Sequence, residues 1–409
     1  MKRIISLIII NLFITVQIFS QWVYMDSLTP GILSFSSSGN YLYVCTTTNG
    51  IFSSVDSGFS WNESNNGISL TYMNVRSLAT KDSILIAGAY LGLFKSTNYG
   101  MSWVPIINGI SCLDINDVKF KGDSILVGSY GGGIFVSTDF GQNFTSLNNG
   151  LSSDLYIRCL FINGSRLFSG HAWDGGGIYA SDDNGATWVP KNNGVPINPW
   201  NPAKYDDILC FTTNGQSLLA STWDCGILKS EDNGESWVQI QVGNNGVFNY
   251  INSITNYDGV VFAGCYGTGV YKSLDDGMNW LATNDSLRDY GVQAIYVYGT
   301  YLYTGTAQGH VYRRNLNELI TGQQENDKFS ITNIYPNPVT DIAKISIPDF
   351  QKEQYSLSIY SIEGNLIKHF EHPIGNFFII KKGDFENGLY TFLLMKNGSK
   401  ISTGKFIIL

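Results

Sequence analysis

Two short steps, Trp173-Asp174 and Trp223-Asp224, place a carboxylate beside a large flat ring. A pair of carboxylates roughly 5 to 9.5 Å apart, one with a raised pKa, is what glycosidic bond cleavage requires. Asp in such a stretch is also a common turn stabiliser, so the pair reads as loop architecture too. Tyr90, Tyr130 and Tyr266 occupy positions equivalent to Trp173 and Trp223, and aromatic platforms of this kind stack on sugar rings or side chains. They also suit a plainer role, packing over neighbouring Gly-rich turns. Arg76, Asp117 and Arg158 stand at the starts of successive apolar runs, with Leu209, Asn252 and Gln293 further along, and their alternation reads as ion pairs around a channel. A bare arginine cluster would make a better anion clamp.

Other chemistries are poorly supplied. Four histidines offer neither a hydrolase triad nor a metal cluster, and six scattered cysteines without CxxC disfavour zinc. No phosphate-cradling Gly loop precedes a helix, so neither cofactor nor metal is expected. Charged residues make up 14% of the 409-residue chain and the net charge is -8, which disfavours nucleic acid as a partner.

A repeat positions these residues. SVDSGFSW, STNYGMSW, STDFGQNF, SDDNGATW, SEDNGESW and SLDDGMNW recur with the acid or amide at Asp56, Asn98, Asp139, Asp183, Asp232 and Asp275, in steps of 42, 41, 44, 49 and 43. Each unit alternates short apolar runs with Gly, Asn and Asp, which is strand and turn chemistry and excludes helical arrays. Landmarks align seven middle strands, from Tyr41 to Tyr301, and outer strands opening at Trp22, Trp61, Trp103, Phe144, Trp188, Trp237 and Trp280. The last unit lacks a box, so the segment from Trp22 to Ser27 is expected to complete it. The fold class expected is all-β: a seven-bladed β-propeller closed by its N-terminal strand, spanning 21–320, plus a small C-terminal β-sandwich. In each box the acid accepts turn N–H groups, Gly takes positive φ and Trp packs between sheets, a structural role.

The pattern S-x-D-x-G-x-[ST]-W resembles the Asp-box (sialidase-type, BNR) repeat. The resemblance implies a propeller and leaves the activity open, since such repeats serve sialidases, other glycosidases, receptors and assembly factors. It also implies that the active face lies opposite the boxes, on the connections between second and third strands and between blades. Sialidase activity is not expected: the glutamates Glu63, Glu231, Glu235 and Glu318 all lie at boxes, outer strand or exit, and the first blade lacks an Arg-Ile-Pro signature.

The two ends of the chain give its address. Lys2 and Arg3 precede an apolar run from Ile4 to Phe19 interrupted by Asn11 and Gln17, so residues 1–20 read as a secretory signal peptide and the mature chain as lacking a transmembrane segment. Residues 321–327 form a polar linker. Beyond it, 328–409 holds nine Lys, no Arg and seven acids, whereas 21–327 holds 14 basic and 26 acidic residues. Tyr335-Pro336-Asn337-Pro338, the IYSIEGNLI strand pair, Asn387-Gly388-Leu389-Tyr390 and Lys405-Phe406 resemble the type A C-terminal sorting domain of the type IX secretion system of Bacteroidota. That resemblance implies the secretion machinery as a partner through 328–409, passage of the outer membrane, and surface attachment or release. Asp-Ser-[Leu/Ile] triplets at Asp26, Asp82, Asp123 and Asp285 resemble the O-glycosylation motif of that phylum and read equally as turns.

The function expected is a secreted or cell-surface, non-catalytic propeller that binds a glycan or protein through Tyr90, Tyr130, Trp173, Trp223, Tyr266, Arg76 and Arg158. A polysaccharide-acting glycoside hydrolase using Asp174 and Asp224, and a structural surface-layer component, are the rival expectations.

Overall fold

The structure, a computed structural model, describes residues 21–28, 31–69, 73–153, 155–173, 176–198, 201–215, 217–240, 250–320, 334–335, 337–347, 354–361, 366–397 and 399–409. The expected signal peptide, the linker 321–327, Asp174 and Pro336 lie outside the described residues. The chain divides into two compact units, Met1–Thr321 and Gly322–Leu409.

The described part of the first unit folds into seven four-stranded antiparallel sheets. Six are consecutive in sequence, as in sheet one: Ile32–Ser38, Tyr41–Thr46, Ile51–Ser54 and Asn62–Glu63. Sheet seven combines Val292–Tyr298, Tyr301–Thr306 and His310–Asn315 with Val23–Ser27 from the other end of the unit. First strands are joined to second strands by two-residue turns that open on a positive φ, for example Gly39, Asp82 and Gly122. Such mirror-image turns match the twist of the strands they connect. Asp82 of one Asp-Ser-Ile triplet is therefore a turn residue. First strands pack side by side in cyclic order, with that of sheet seven against that of sheet one.

Neighbouring sheets are coupled by a repeated set of contacts. The indole Nε1 of Trp103 donates to the Ser64 carbonyl of the preceding sheet at 2.8 Å, Trp188 to Leu147 at 2.9 Å and Trp237 to Lys191 at 3.0 Å. Trp22 donates to Thr283 in the same way, so the N-terminal strand takes the place a fourth strand holds elsewhere. Asn-Gly steps that the sequence reading passed over receive these strands. In one of them Gly150 sits at φ +87°, and a Cβ there would stand 2.2 Å from the Trp188 carbonyl oxygen. Only glycine fits such an approach. Gly67, Gly109 and Gly194 meet Trp103, Phe144 and Trp237 in the same way.

The second unit holds a three-stranded sheet (Ile334–Tyr335, Ile342–Ser346, Phe377–Lys381) and a four-stranded sheet (Tyr355–Ser361, Leu366–Phe370, Gly388–Lys396, Ser399–Ile408). Both sheets contribute to one core that includes Ile345, Leu357, Phe378, Phe392 and Phe406. Apolar side chains at alternate positions, such as Tyr355, Leu357 and Ile359, place one face of each sheet inside.

Candidate functional site

The boxes connect third to fourth strands, and the aromatic positions connect second to third strands. In an antiparallel sheet these connections lie at opposite ends, so Asp56 and Tyr90 belong to opposite faces of the first unit.

At the box end both oxygens of each box aspartate accept hydrogen bonds. Asp183 Oδ1 accepts the Ser181 hydroxyl at 2.7 Å and the Thr187 N–H at 2.8 Å, while Oδ2 accepts the Thr187 hydroxyl at 2.5 Å. Asp56, Asp139, Asp232 and Asp275 repeat this geometry. Asn98 does the same with its amide oxygen, accepting from Ser96 at 2.8 Å and Ser102 N–H at 3.0 Å. Hydrogen bonds from Ser60 pull the Asp56 carboxyl down to about 2, and the Thr187 hydroxyl and N–H bring Asp183 to about 2. These carboxylates close turns and have no free lone pairs aimed at a common point.

The first strands carry a second repeated device. In each, the register slips by one residue near its start: Ile32/Ser34, Val75/Ser77, Ile115/Asp117, Ile157/Cys159, Ile208/Cys210, Ile251/Ser253 and Val292/Ala294. A bulge leaves its extra residue out of the ladder and re-aims that side chain. The bulged residues include Arg76, Asn116, Arg158, Leu209, Asn252 and Gln293, and all six line a cavity of about 380 Å³ enclosed by the first strands. The expected equivalence of Asp117 with Arg76 and Arg158 is thus off by one; the equivalent residue is Asn116. Asp117 is buried, and joins sheets instead. It accepts the Ser77 hydroxyl at 2.8 Å, the Lys119 ammonium at 2.7 Å and the Leu160 N–H of the next sheet at 2.8 Å. The expected ring of ion pairs is also corrected: Arg76 pairs with Asp114, and its Nη1 donates to Asn116 at 2.6 Å.

A second cavity of about 390 Å³ continues from the first at the aromatic end. Arg76, Tyr130, Arg158, Trp173 and Trp223 of the expected set line it, together with Asp114 and Asp207, which sequence reasoning missed. Tyr90 stacks under the Arg76 guanidinium at 5.7 Å, and Tyr266 meets Tyr250 edge-on at 6.3 Å. Both stay outside the lining. Asp224 also stays outside it, its N–H donating to Asp206 Oδ2 at 3.0 Å.

The two tryptophans are held by one dipeptide, Asp206-Asp207, which lies between sheets four and five. Asp207 Oδ1 accepts the Trp173 N–H at 2.9 Å, and the Asp207 carbonyl accepts the Trp223 N–H at 3.0 Å. Asp206, fully buried, accepts the N–H groups of Asp224 and Cys225. Burial raises the Asp207 carboxyl to about 6, reinforced by Asp206 and opposed by the Trp173 N–H and by Arg158. Burial likewise raises the Tyr130 hydroxyl to about 12, so it stays protonated as a donor. Trp173 adopts φ +61° with its side chain 70% exposed. A left-handed backbone at a bulky non-glycine residue costs of order 1–3 kcal/mol, and an exposed ring returns little of it through packing. Asp206 and Asp207 carry no sequence signature, because their roles depend on contacts with two loops distant in sequence.

All six cysteines are free thiols, and Cys45, Cys159 and Cys265 are buried. Among the described residues no group of three or more His, Cys, Asp or Glu side chains is placed to hold a metal, and no helix is long and apolar enough to cross a membrane.

Comparison with known proteins agrees with this geometry. Residues 333–409 match the family described as the secretion system C-terminal sorting domain, and 134–147 match the BNR-Asp box repeat. Among curated proteins, none matches the chain. Similar solved structures include YCF48 bound to D1 peptide (15% identity, 72% of this chain and 96% of that chain, TM-score 0.55). The WD40 β-propeller domain of Doa1 is similar at 8% identity, 73% and 98% coverage, TM-score 0.57. A GH74 xyloglucanase from Xanthomonas campestris is similar at 15% identity and TM-score 0.56; the match takes in 73% of this chain and about half, 54%, of that enzyme. At such identities the likeness shows the fold alone. The chain carries a BNR-Asp box repeat in an all-β, propeller-like architecture and ends in a secretion system C-terminal sorting domain, which implies type IX export.

Proposed function

We propose that this chain is an exported, non-catalytic seven-bladed β-propeller that binds a glycan or protein partner at the cavity between Tyr130, Trp173 and Trp223. In this reading the seven sheets are its blades, Val23–Ser27 latches the last one, and the two C-terminal sheets form a sandwich. Residues 1–20 serve as the signal peptide, and 328–409 deliver the protein through the type IX machinery to the cell surface or medium.

The observation that carries the proposal is Trp173, exposed, strained and tied down by a half-buried carboxylate from the connection between two sheets. Strain that packing does not repay is characteristic of binding sites. Two of the similar solved structures suit such a reading, one bound to a peptide and one a xyloglucanase. Binding of the full chain to glycan and protein arrays tests the reading. The Trp173→Ala, Trp223→Ala double variant should lose its signals while keeping the thermal midpoint; unchanged signals reject the face.

One observation favours a second reading, glycoside hydrolysis. Asp207 has the raised pKa of a general acid and shares the cavity with a second carboxylate, Asp114. The pair first expected does not serve this reading, since Asp174 lies outside the described residues and Asp224 outside the cavity. Turnover on β-glucans that disappears in Asp207→Asn would replace the binding proposal; no turnover across a broad polysaccharide panel ends the hydrolase reading.

A further inference from the structure

The cavity at the aromatic end contains one guanidinium to which the described residues give no hydrogen bond or ion pair. Arg76 is committed to Asp114, Asn116 and the face of Tyr90. Arg158, exposed at its bulge where the two cavities meet, makes no hydrogen bond, ion pair or ring contact among the described residues. A guanidinium presents five N–H donors in a planar fork that fits a carboxylate bidentately.

The remaining polar groups facing the cavity have the same bias. The Tyr130 hydroxyl and the indole N–H groups of Trp173 and Trp223 donate no hydrogen bond to described residues. Asp207 and Asp114 are the carboxylates among them, and one oxygen of each is already taken, by the Trp173 N–H and by Arg76. A peptide presents N–H and C=O in equal number, so a lining rich in donors leaves its N–H groups unmatched. A sugar acid offers a carboxylate, ring and hydroxyl oxygens, and a C–H face that stacks on an indole.

We propose that this cavity is a subsite for a uronic acid residue of a polysaccharide, with the carboxylate held by Arg158 and the pyranose ring laid against Trp173 or Trp223. The assignment rests on the binding reading above and narrows it to acidic glycans. Asp207 sharpens the selectivity. When protonated, it removes a repulsive charge from the carboxylate's surroundings and adds an O–H donor, so binding should strengthen as pH falls through 6 toward 5.

The test is calorimetric titration of the full chain with trigalacturonate, trimannuronate and triglucuronate, each beside its methyl ester, which keeps the rings and removes the charge. At least one acid should bind, about tenfold or more tightly than its ester, and more weakly as salt rises. Arg158→Gln should reduce that acid to the affinity of its ester, and Arg158→Lys should retain part of the difference. Because Arg158 is exposed and makes no hydrogen bond or ion pair with a described residue, both variants should keep the parent thermal midpoint. Equal binding of acid and ester, undiminished acid binding in Arg158→Gln, or hexaglutamate peptide binding as tightly as the acids each overturns the subsite. If the esters still bind and Trp173→Ala abolishes that binding, the aromatic platform survives and the carboxylate assignment alone fails. If none of the six sugars binds, the subsite falls, and the array experiment decides the platform separately.

Discussion

The two ends of the same seven sheets spend polar groups in opposite ways. At the box end, each acid is saturated by hydroxyl and N–H donors from its own turn, as Asp183 is by Ser181 and Thr187. At the aromatic end, Asp207 is half-buried beside the buried Asp206, Arg158 makes no hydrogen bond or ion pair with a described residue, and Trp173 is exposed in a left-handed conformation. Groups saturated by donors of their own turn hold a fold together, and at the boxes the positive φ of Tyr99 and Phe140 belongs to that turn. On the proposed reading, the groups with spare bonding capacity at the aromatic end serve something outside the chain.

The contrast predicts that substitutions in the box-end and inter-sheet framework reduce stability, whereas those at the aromatic end reduce binding. The largest effect is expected at Asp117. Asp117→Ala removes the acceptor of the Leu160 N–H and of Lys119 at a buried site, and chemical denaturation should show a loss of about 3 kcal/mol or more. Gly150→Ala, which drives a Cβ into the Trp188 carbonyl, should cost about 2–3 kcal/mol in the same assay. Either variant behaving like the parent would mean that the sheets are joined by something else.

The ends should also respond to pH with opposite sign. Box carboxyls such as Asp56 and Asp183 are lowered from 3.8 to about 2, so their contribution is complete above pH 3.8 and fades as pH falls toward 2. Asp207 is raised from 3.8 to about 6, so its protonated form is favoured by the folded state, and that contribution fades as pH rises from 3.8 through 6. In the parent, the thermal midpoint should decline as pH rises between 4 and 6, and Asp207→Asn should flatten that segment while leaving the acid limb below pH 4 unchanged. An unaltered profile would show that Asp207 is not desolvated in the folded protein.

Much of the framework was legible in the sequence because it repeats. Six boxes with a common Ser, Asp or Asn and Gly report a local turn, and local turns repeat their residues when their geometry repeats. The boundaries of the middle strands follow, starting as expected at Tyr41, Ile84, Arg166, Ser217, Val260 and Tyr301, while the one expected at Ile125 begins one residue earlier, at Ser124. The orphan Trp22 pointed to sheet seven because its indole does what Trp103, Trp188 and Trp237 do. The site was only half legible. Trp173, Trp223, Tyr130, Arg76 and Arg158 were found by their equivalent positions. Asp117 was aligned one residue out because a bulge adds a residue without changing the composition of the strand. Asp206 and Asp207 were missed because they act on Trp173, Trp223 and Asp224 from a connection between sheets, where nothing repeats.

The smallest effect is also the most telling, since it concerns Trp173 alone. If Trp173 is retained for a ligand at a cost to the fold, Trp173→Gly relieves the positive φ and removes only an exposed ring. Equilibrium urea unfolding should then show a variant as stable as the parent or more so, by up to roughly 1 kcal/mol. A loss of 1 kcal/mol or more in that one measurement would show that Trp173 serves the fold, and the division between the two ends would fail.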